Sequence, residues 1–167
     1  MEKSARYWID QLKLVKQPNG LYTKEFYRSD ETLRKDQLPF RYRHQRNFSS
    51  SHYVLAEAPF LIPFQRKKSD ETWHFYTGVP AVFHIIDEEG NYSEKALGSD
   101  PGNGESLQIL LRRGSWYAIT LKMNEDYVLA ACVSSPAASP EDVERGFKTE
   151  MNRILPHYKH IIEKFGE

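Results

Sequence analysis

The sequence predicts an all-β fold, an antiparallel sandwich or barrel with one helix before it and a helical tail after it. Three observations carry this expectation. Between residues 49 and 133, short segments rich in β-branched and aromatic residues follow one another, separated by turn-forming clusters and without helical spacing. Aromatic residues make up 13% of the chain, with ten Tyr and nine Phe, a bias toward pleated surfaces and aromatic-lined interiors. Helical spacing is confined to the two ends.

The elements follow in order. Residues 3–14 place Ala5, Trp8, Ile9 and Leu12 at helical spacing, with Ser4 positioned to cap the first turn. Gln17-Pro18-Asn19-Gly20 is turn chemistry and stops the helix near Lys16. LYTKEFYR (21–28) reads as a strand. Residues 29–48 are polar and charged with no sustained period, and read as a long, partly mobile loop. Strands are expected near 50–55, 60–67, 72–77, 80–86, 93–97, 106–111, 115–121 and 127–133. Their separators include Lys68-Ser69-Asp70, Asp87-Glu88-Glu89-Gly90-Asn91 and Asp100-Pro101-Gly102-Asn103-Gly104. The strands at 60–67 and 72–77 are expected to pair as a hairpin across Lys68-Ser69-Asp70. After Pro140, EDVERGFKTEMNRIL has helical character, Pro156 interrupts it, and HYKHIIEKF supplies a second short helix. The chain reads as a single domain over 1–167, with a helix at about 3–14, a barrel at about 21–135 and a helical tail at about 140–165.

Lys plus Arg and Asp plus Glu both number 23, so no global field selects a polyanionic partner. RYRHQR (41–46) alternates basic and aromatic residues, but six residues in a neutral chain read as a solvated loop, not a nucleic-acid contact. The lone Cys132 excludes an intrachain disulfide and fits a reducing compartment. The first residues lack the apolar core of a secretory signal, and no run of 18 apolar residues exists. A cytoplasmic protein with no membrane partner is expected. No phosphate loop or serine-hydrolase elbow is present.

FQRKKSDETWHFYTG (64–78) sets Gln65 and Lys67 one residue apart, Glu71 four further on and Gly78 seven beyond that. Arg112-Arg113-Gly114 is a turn, with Tyr117 three residues later. Together with PNGLY (18–22), FYRS (26–29), SSHYVL (50–55), LGSD (97–100) and ACVSSP (131–136), these segments resemble the fifth cupin family, small proteins of unknown function. The S-D-E-x-W-H core, Ser69 to His74, is the most specific part of the match. The resemblance implies an antiparallel double-stranded β-helix, the cupin jelly-roll barrel. It also implies a homodimer formed through open sheet edges. The chain departs from the family pattern at Gln17 to Leu21, where His-Pro-Glu-Gly-Gly is expected. It departs again at Gln65, where a histidine is expected, and at Pro136-Ala137-Ala138, where Pro-Gly-Phe is expected.

In metal-binding cupins the positions of Gln65, Lys67 and Tyr117 carry histidines beside a glutamate, here Glu71. A neutral amide, an ammonium and a phenol are poor ligands for zinc or iron. No metal and no cofactor are therefore expected. Lys67 has two readings: an ion pair with Glu71 in the barrel interior, serving as a polar handle for a ligand, or a solvent-facing loop lysine. Trp73, Phe75, Trp116 and Tyr117 are either an aromatic wall for a flat or sugar-like ligand or ordinary core residues. Tyr22 and Arg28 are placed at the same mouth by the resemblance, with Arg28 able to grip an anionic group through its fork. The expected ligand-binding set is thus Tyr22, Arg28, Gln65, Lys67, Glu71, Trp73, Phe75 and Tyr117. Three functions follow from these residues: a small-molecule-binding cupin without a tightly bound transition metal; a metal-independent isomerase or epimerase, with His52 or His74 as base and Tyr117 or Tyr76 as acid; or a non-catalytic interaction protein.

Overall fold

The computed structural model describes residues 3–123 and 126–167. Helix α1 (Ala5–Leu12) is capped by Ser4, whose Oγ accepts the Tyr7 N–H. It ends at Lys13 in the left-handed conformation, where the Leu14 N–H closes on the Ile9 carbonyl. The strands follow as β1 (Val15–Lys16), β2 (Tyr22–Arg28), β3 (Thr32–Leu33), β4 (Arg46–Asn47), β5 (Ser50–Glu57), β6 (Leu61–Lys67) and β7 (Asp70–Gly78). Next come β8 (Ala81–Ile86), β9 (Tyr92–Leu97), β10 (Glu105–Ser106), β11 (Gln108–Leu111), β12 (Trp116–Leu121), β13 (Tyr127–Ser135) and β14 (Val143–Arg145). Helices α2 (Lys148–Ile154) and α3 (Lys159–Phe165) close the chain. The eight central strands end within two residues of the positions expected from turn chemistry, with β10 and β11 sharing the segment read as one.

Two six-stranded sheets face each other, ordered β1-β2-β5-β13-β7-β11 and β10-β9-β8-β12-β6-β14, the two layers of a jelly roll. Alternation along each strand sends one set of side chains between the sheets. Trp73, Phe83, Leu97, Ile109, Tyr117, Ile119 and Val128 build that interior. Helix α1 covers part of the first sheet's outer face, packing Ala5 and Ile9 on Leu55 and Leu129. Helices α2 and α3 cover the second sheet with Met151, Ile162 and Phe165 against Phe64, Ile86 and Trp116.

Three expectations change. Strands β6 and β7 are not a hairpin: β6 pairs with β12 and β14, and β7 with β13 and β11. The short Lys68-Ser69 link instead crosses from one sheet to the other. The 29–48 segment is mostly exposed, as expected of a loop, but it is tied to the barrel. It carries the β3–β4 pair and a short 3-10 turn at Lys35–Gln37, and it is anchored through two side chains. Tyr42 is fully buried, its hydroxyl on the Lys68 carbonyl (2.8 Å) and Ser69 Oγ (2.9 Å). Arg46 grips Asp142 from Nε (3.0 Å) and Nη2 (2.8 Å), both residues being buried. Finally, residues 143–145 are strand, not helix. They satisfy the otherwise open edge of β6, and the Gly146 N–H continues the pairing to the Phe64 carbonyl.

Candidate functional site

Strand register assembles two rows of side chains across the inner face of the first sheet. Glu71 on β7 pairs with Ser134 on β13, which pairs with Ser50 on β5, which pairs with Arg28 on β2. One step deeper, Trp73 pairs with Cys132, Cys132 with His52, and His52 with Glu25. Glu25 and Arg28 are three residues apart and would face opposite sides of a regular strand. A bulge between Glu25 and Tyr27 inserts an extra residue, so both reach the same face while Phe26 stays exposed. From the facing sheet, β12 and β6 bring Tyr117 opposite Gln65, and Lys67 stands at the end of β6.

Glu71 is the centre of the arrangement, with its carboxylate 1% exposed. Its Oε1 accepts from Lys67 Nζ at 2.5 Å and from Ser134 Oγ at 3.4 Å, and its Oε2 accepts from the Tyr117 hydroxyl at 2.9 Å. The Gln65 amide in turn donates to the Tyr117 oxygen at 3.1 Å. Burial alone would push the Glu71 carboxyl up, but the Lys67 ammonium, the Tyr117 hydroxyl and the Cys132 thiol hold it below the ordinary carboxylate value. Burial works against the Lys67 charge too, and the facing carboxylate overrides it, holding Lys67 well above the usual lysine value. Burial and the Glu71 charge push both Tyr117 and Cys132 well up, so the phenol and the thiol keep their protons.

This donor set does not fit a first-row metal. Both Glu71 oxygens are engaged, and an ammonium occupies the cation's place beside them. Among the described residues no group of three or more His, Cys, Asp and Glu is arranged to hold a metal ion.

Lys67 also opens outward. Its side chain is 22% exposed, and it lines a cleft of about 310 Å³ together with Arg28, His52, Ser69, Ser134 and the 138–143 segment. Arg28 does not present a free fork: its Nε and Nη2 both donate to Glu25 Oε2, at 3.0 and 2.7 Å, and Nη2 also reaches the Ala138 carbonyl. The same Glu25 oxygen lies 3.3 Å from His52 Nε2. Burial, the largest influence, holds the His52 pKa below the ordinary imidazole value.

Of the eight expected binding residues, Gln65, Lys67, Glu71 and Tyr117 form one hydrogen-bonded group, and Arg28 reaches the same cleft from the other side. The other three do not join them. Tyr22 packs on the outer face beneath α1 with Leu55 and Leu129, away from the mouth. Trp73 sits in the interior, edge-on to Phe83 with ring centres 5.3 Å apart, and Phe75 packs against the same core. Trp116 neighbours Tyr117 in sequence and therefore faces the opposite side, under α2 and α3, where Arg66 covers its ring. The aromatic wall is thus ordinary packing. His74 faces opposite to Glu71, in register with Gln108 and Ala131. Glu25, Ser69 and Ser134 were not among the expected binding residues, although Ser69 opens the S-D-E-x-W-H core. Glu25 needed the bulge to be seen, Ser134 needed the strand register, and Ser69 needed the crossing between the sheets.

The model of a protein family described as Cupin superfamily (DUF985) matches residues 6–145. The chain belongs to this family. None of the curated proteins matches it. Among solved structures, a hypothetical protein from Leishmania major is similar to this cupin at 24% identity and TM-score 0.85, covering 98% of this chain and 99% of that one. A protein from Shewanella oneidensis is similar at 25% identity and TM-score 0.82, with 99% of both chains covered. Oxalate decarboxylase from Bacillus subtilis shares only the fold, at 15% identity and TM-score 0.53 over 91% of this chain and 37% of its own.

Proposed function

We propose that this cupin, taken as one domain, binds a polar small molecule in the cleft at the barrel mouth without a tightly bound transition metal. The observation that carries this is the position of Lys67. Its ammonium is fixed by Glu71, and its side chain, 22% exposed, lines the cleft. One N–H is spent on Glu71, leaving two to donate outward. An ion pair in a barrel interior is expensive to desolvate and contributes little net stability, so a role in ligand recognition accounts for it better than a structural one. The Ser69 and Ser134 hydroxyls add further partners on the same wall. The ligand these groups suit carries a carbonyl, hydroxyl or carboxylate oxygen that accepts from Lys67.

Saturation-transfer NMR with dihydroxyacetone, D-glyceraldehyde and D-erythrulose as probes tests this reading. Transfer to a probe is expected in the wild type and lost in Lys67→Met/Glu71→Gln, which removes both charges together. Equal transfer in that variant would remove Lys67 from the site.

Two further readings belong with this proposal. A homodimer is supported by the open edges: β1 covers only the start of β2, leaving exposed Phe26 and Tyr27, and β11 ends the same sheet with Leu107 and Leu110 exposed. A reducing, cytoplasmic setting is supported by the single free, buried cysteine. No helix among the described residues is long and apolar enough to cross a membrane.

A further inference from the structure

We infer that His52 is the general base of a proton-transfer site in this cleft, oriented by Glu25, and that the site acts on carbonyl compounds bearing a hydrogen on the carbon next to the carbonyl. The inference rests on the binding reading above and goes beyond it to a reaction. Glu25 is clamped by two hydrogen bonds from Arg28, and the same oxygen faces His52 Nε2 at 3.3 Å. A carboxylate this close to Nε2 favours the tautomer that carries its proton there and leaves the lone pair on Nδ1. Among the described residues Nδ1 has no hydrogen-bond partner. The ring is one quarter exposed, and it shares the cleft wall with Lys67.

The charged groups around His52 are Glu25 and Arg28 on β2, Lys67 beyond the end of β6, and Glu71 on β7, with the Cys132 thiol directly across on β13. Lys67 stays protonated beside Glu71, so it donates hydrogen bonds and does not form an imine. Tyr117 is spent on Glu71 and does not line the cleft, so the tyrosine acid expected for an epimerase is not supplied from that position. Proton removal and return therefore both fall to His52.

The step balances without an outside reagent. A substrate carbonyl oxygen accepts from Lys67. His52 Nδ1 takes the proton from the adjacent carbon, the C–H electron pair becomes a carbon–carbon π bond, and the carbonyl π pair moves onto oxygen as an enolate beside the ammonium. Return of a proton from His52 to the same face restores the substrate, and in D2O the returned atom is deuterium.

The test is exchange of the α-hydrogens of dihydroxyacetone, D-glyceraldehyde and D-erythrulose in D2O, followed by proton NMR. The wild type is expected to accelerate exchange of at least one probe above buffer. Its acid limb should lie below the ordinary histidine value, because the base must be neutral. His52→Gln is expected to lose about a hundredfold or more. Glu25→Gln removes the charge that favours the imidazolium, so its acid limb should move to lower pH, and Glu25→Asp should restore it. A merely structural Glu25 would move the melting temperature and leave the pH profile in place. Exchange at the buffer rate for all three probes, or an unchanged rate in His52→Gln, overturns the inference. Saturation transfer on the same samples reports binding separately, so bound but unexchanged probes sink the reaction and leave the binding site standing.

Discussion

Replacing Glu71 by alanine is expected to lower the stability of the fold by about 3–5 kcal/mol, because it strands the Lys67 ammonium and the Tyr117 hydroxyl without their shared acceptor. The loss should come from the unpaired charge and not from the removed atoms. Lys67→Met/Glu71→Gln should therefore recover most of it, since a neutral amide still accepts from Tyr117. Additive losses in the double variant would mean that the two groups are independent, contrary to their 2.5 Å contact.

The same pair predicts a pH dependence with a definite sign. The Glu71 pKa is depressed in the folded protein, so its contribution is present above the ordinary value of 4.5 and is lost as pH falls through the folded value. The Lys67 pKa is raised, so its contribution is present below the ordinary 10.5 and is lost as pH rises through the folded value. Thermal melts should show the wild type losing more stability between pH 7 and pH 3 than the double variant does. Parallel loss in the two proteins would contradict the assignment.

Gly78→Ala is the second large expected effect. Gly78 has φ +100°, a region costly for any residue with a side chain, and a Cβ built there would lie 2.0 Å from the Tyr127 carbonyl oxygen. That oxygen also accepts the Val79 N–H at 2.8 Å, so it cannot retreat without breaking the junction of β7 and β13. Backbone strain of about 1–3 kcal/mol adds to an overpacking cost of about 1–3 kcal/mol. At about 2–4 °C per kcal/mol for a chain of this size, the melting temperature should fall by roughly 4–24 °C. A shift of under about 2 °C would show that the strand end yields more easily than its packing implies. The glycine that marks the motif in sequence is thus a packing requirement of the barrel and makes no statement about metal.

This distinction explains what was legible in the sequence. The strands were readable because Pro, Gly, Asn and Asp punctuate them, and local turn chemistry needs no tertiary information. The group of Gln65, Lys67, Glu71 and Tyr117 was readable because family spacing encodes positions on a barrel. Strand partnership was not local: a three-residue separator looks like a hairpin, and only the demands of two sheets turn Lys68-Ser69 into a crossing. The strand at 143–145 was hidden for a related reason, since its sequence has helical character and the unpaired edge of β6 decides its conformation. Tyr42 and Arg46 sit in a polar run whose burial depends on Ser69 and Asp142, far away in the chain. The Arg28–Glu25–His52 relay depends on one bulged residue, which no periodicity reports. The aromatic wall failed against a rule available at the outset, because Trp116 and Tyr117 are adjacent and must face opposite sides of their strand.

The central claim is that an ammonium takes the place of a metal at the barrel mouth and presents itself to a small organic ligand. Native mass spectrometry of protein purified without chelators, paired with elemental analysis of the same sample, tests it most directly. The expected result is a dimer spectrum with substoichiometric first-row metal, in which any adduct has the mass of a small organic molecule and disappears in Lys67→Met/Glu71→Gln. One equivalent of zinc, iron, manganese or nickel per chain, retained through desalting and lost in that variant, would contradict the account.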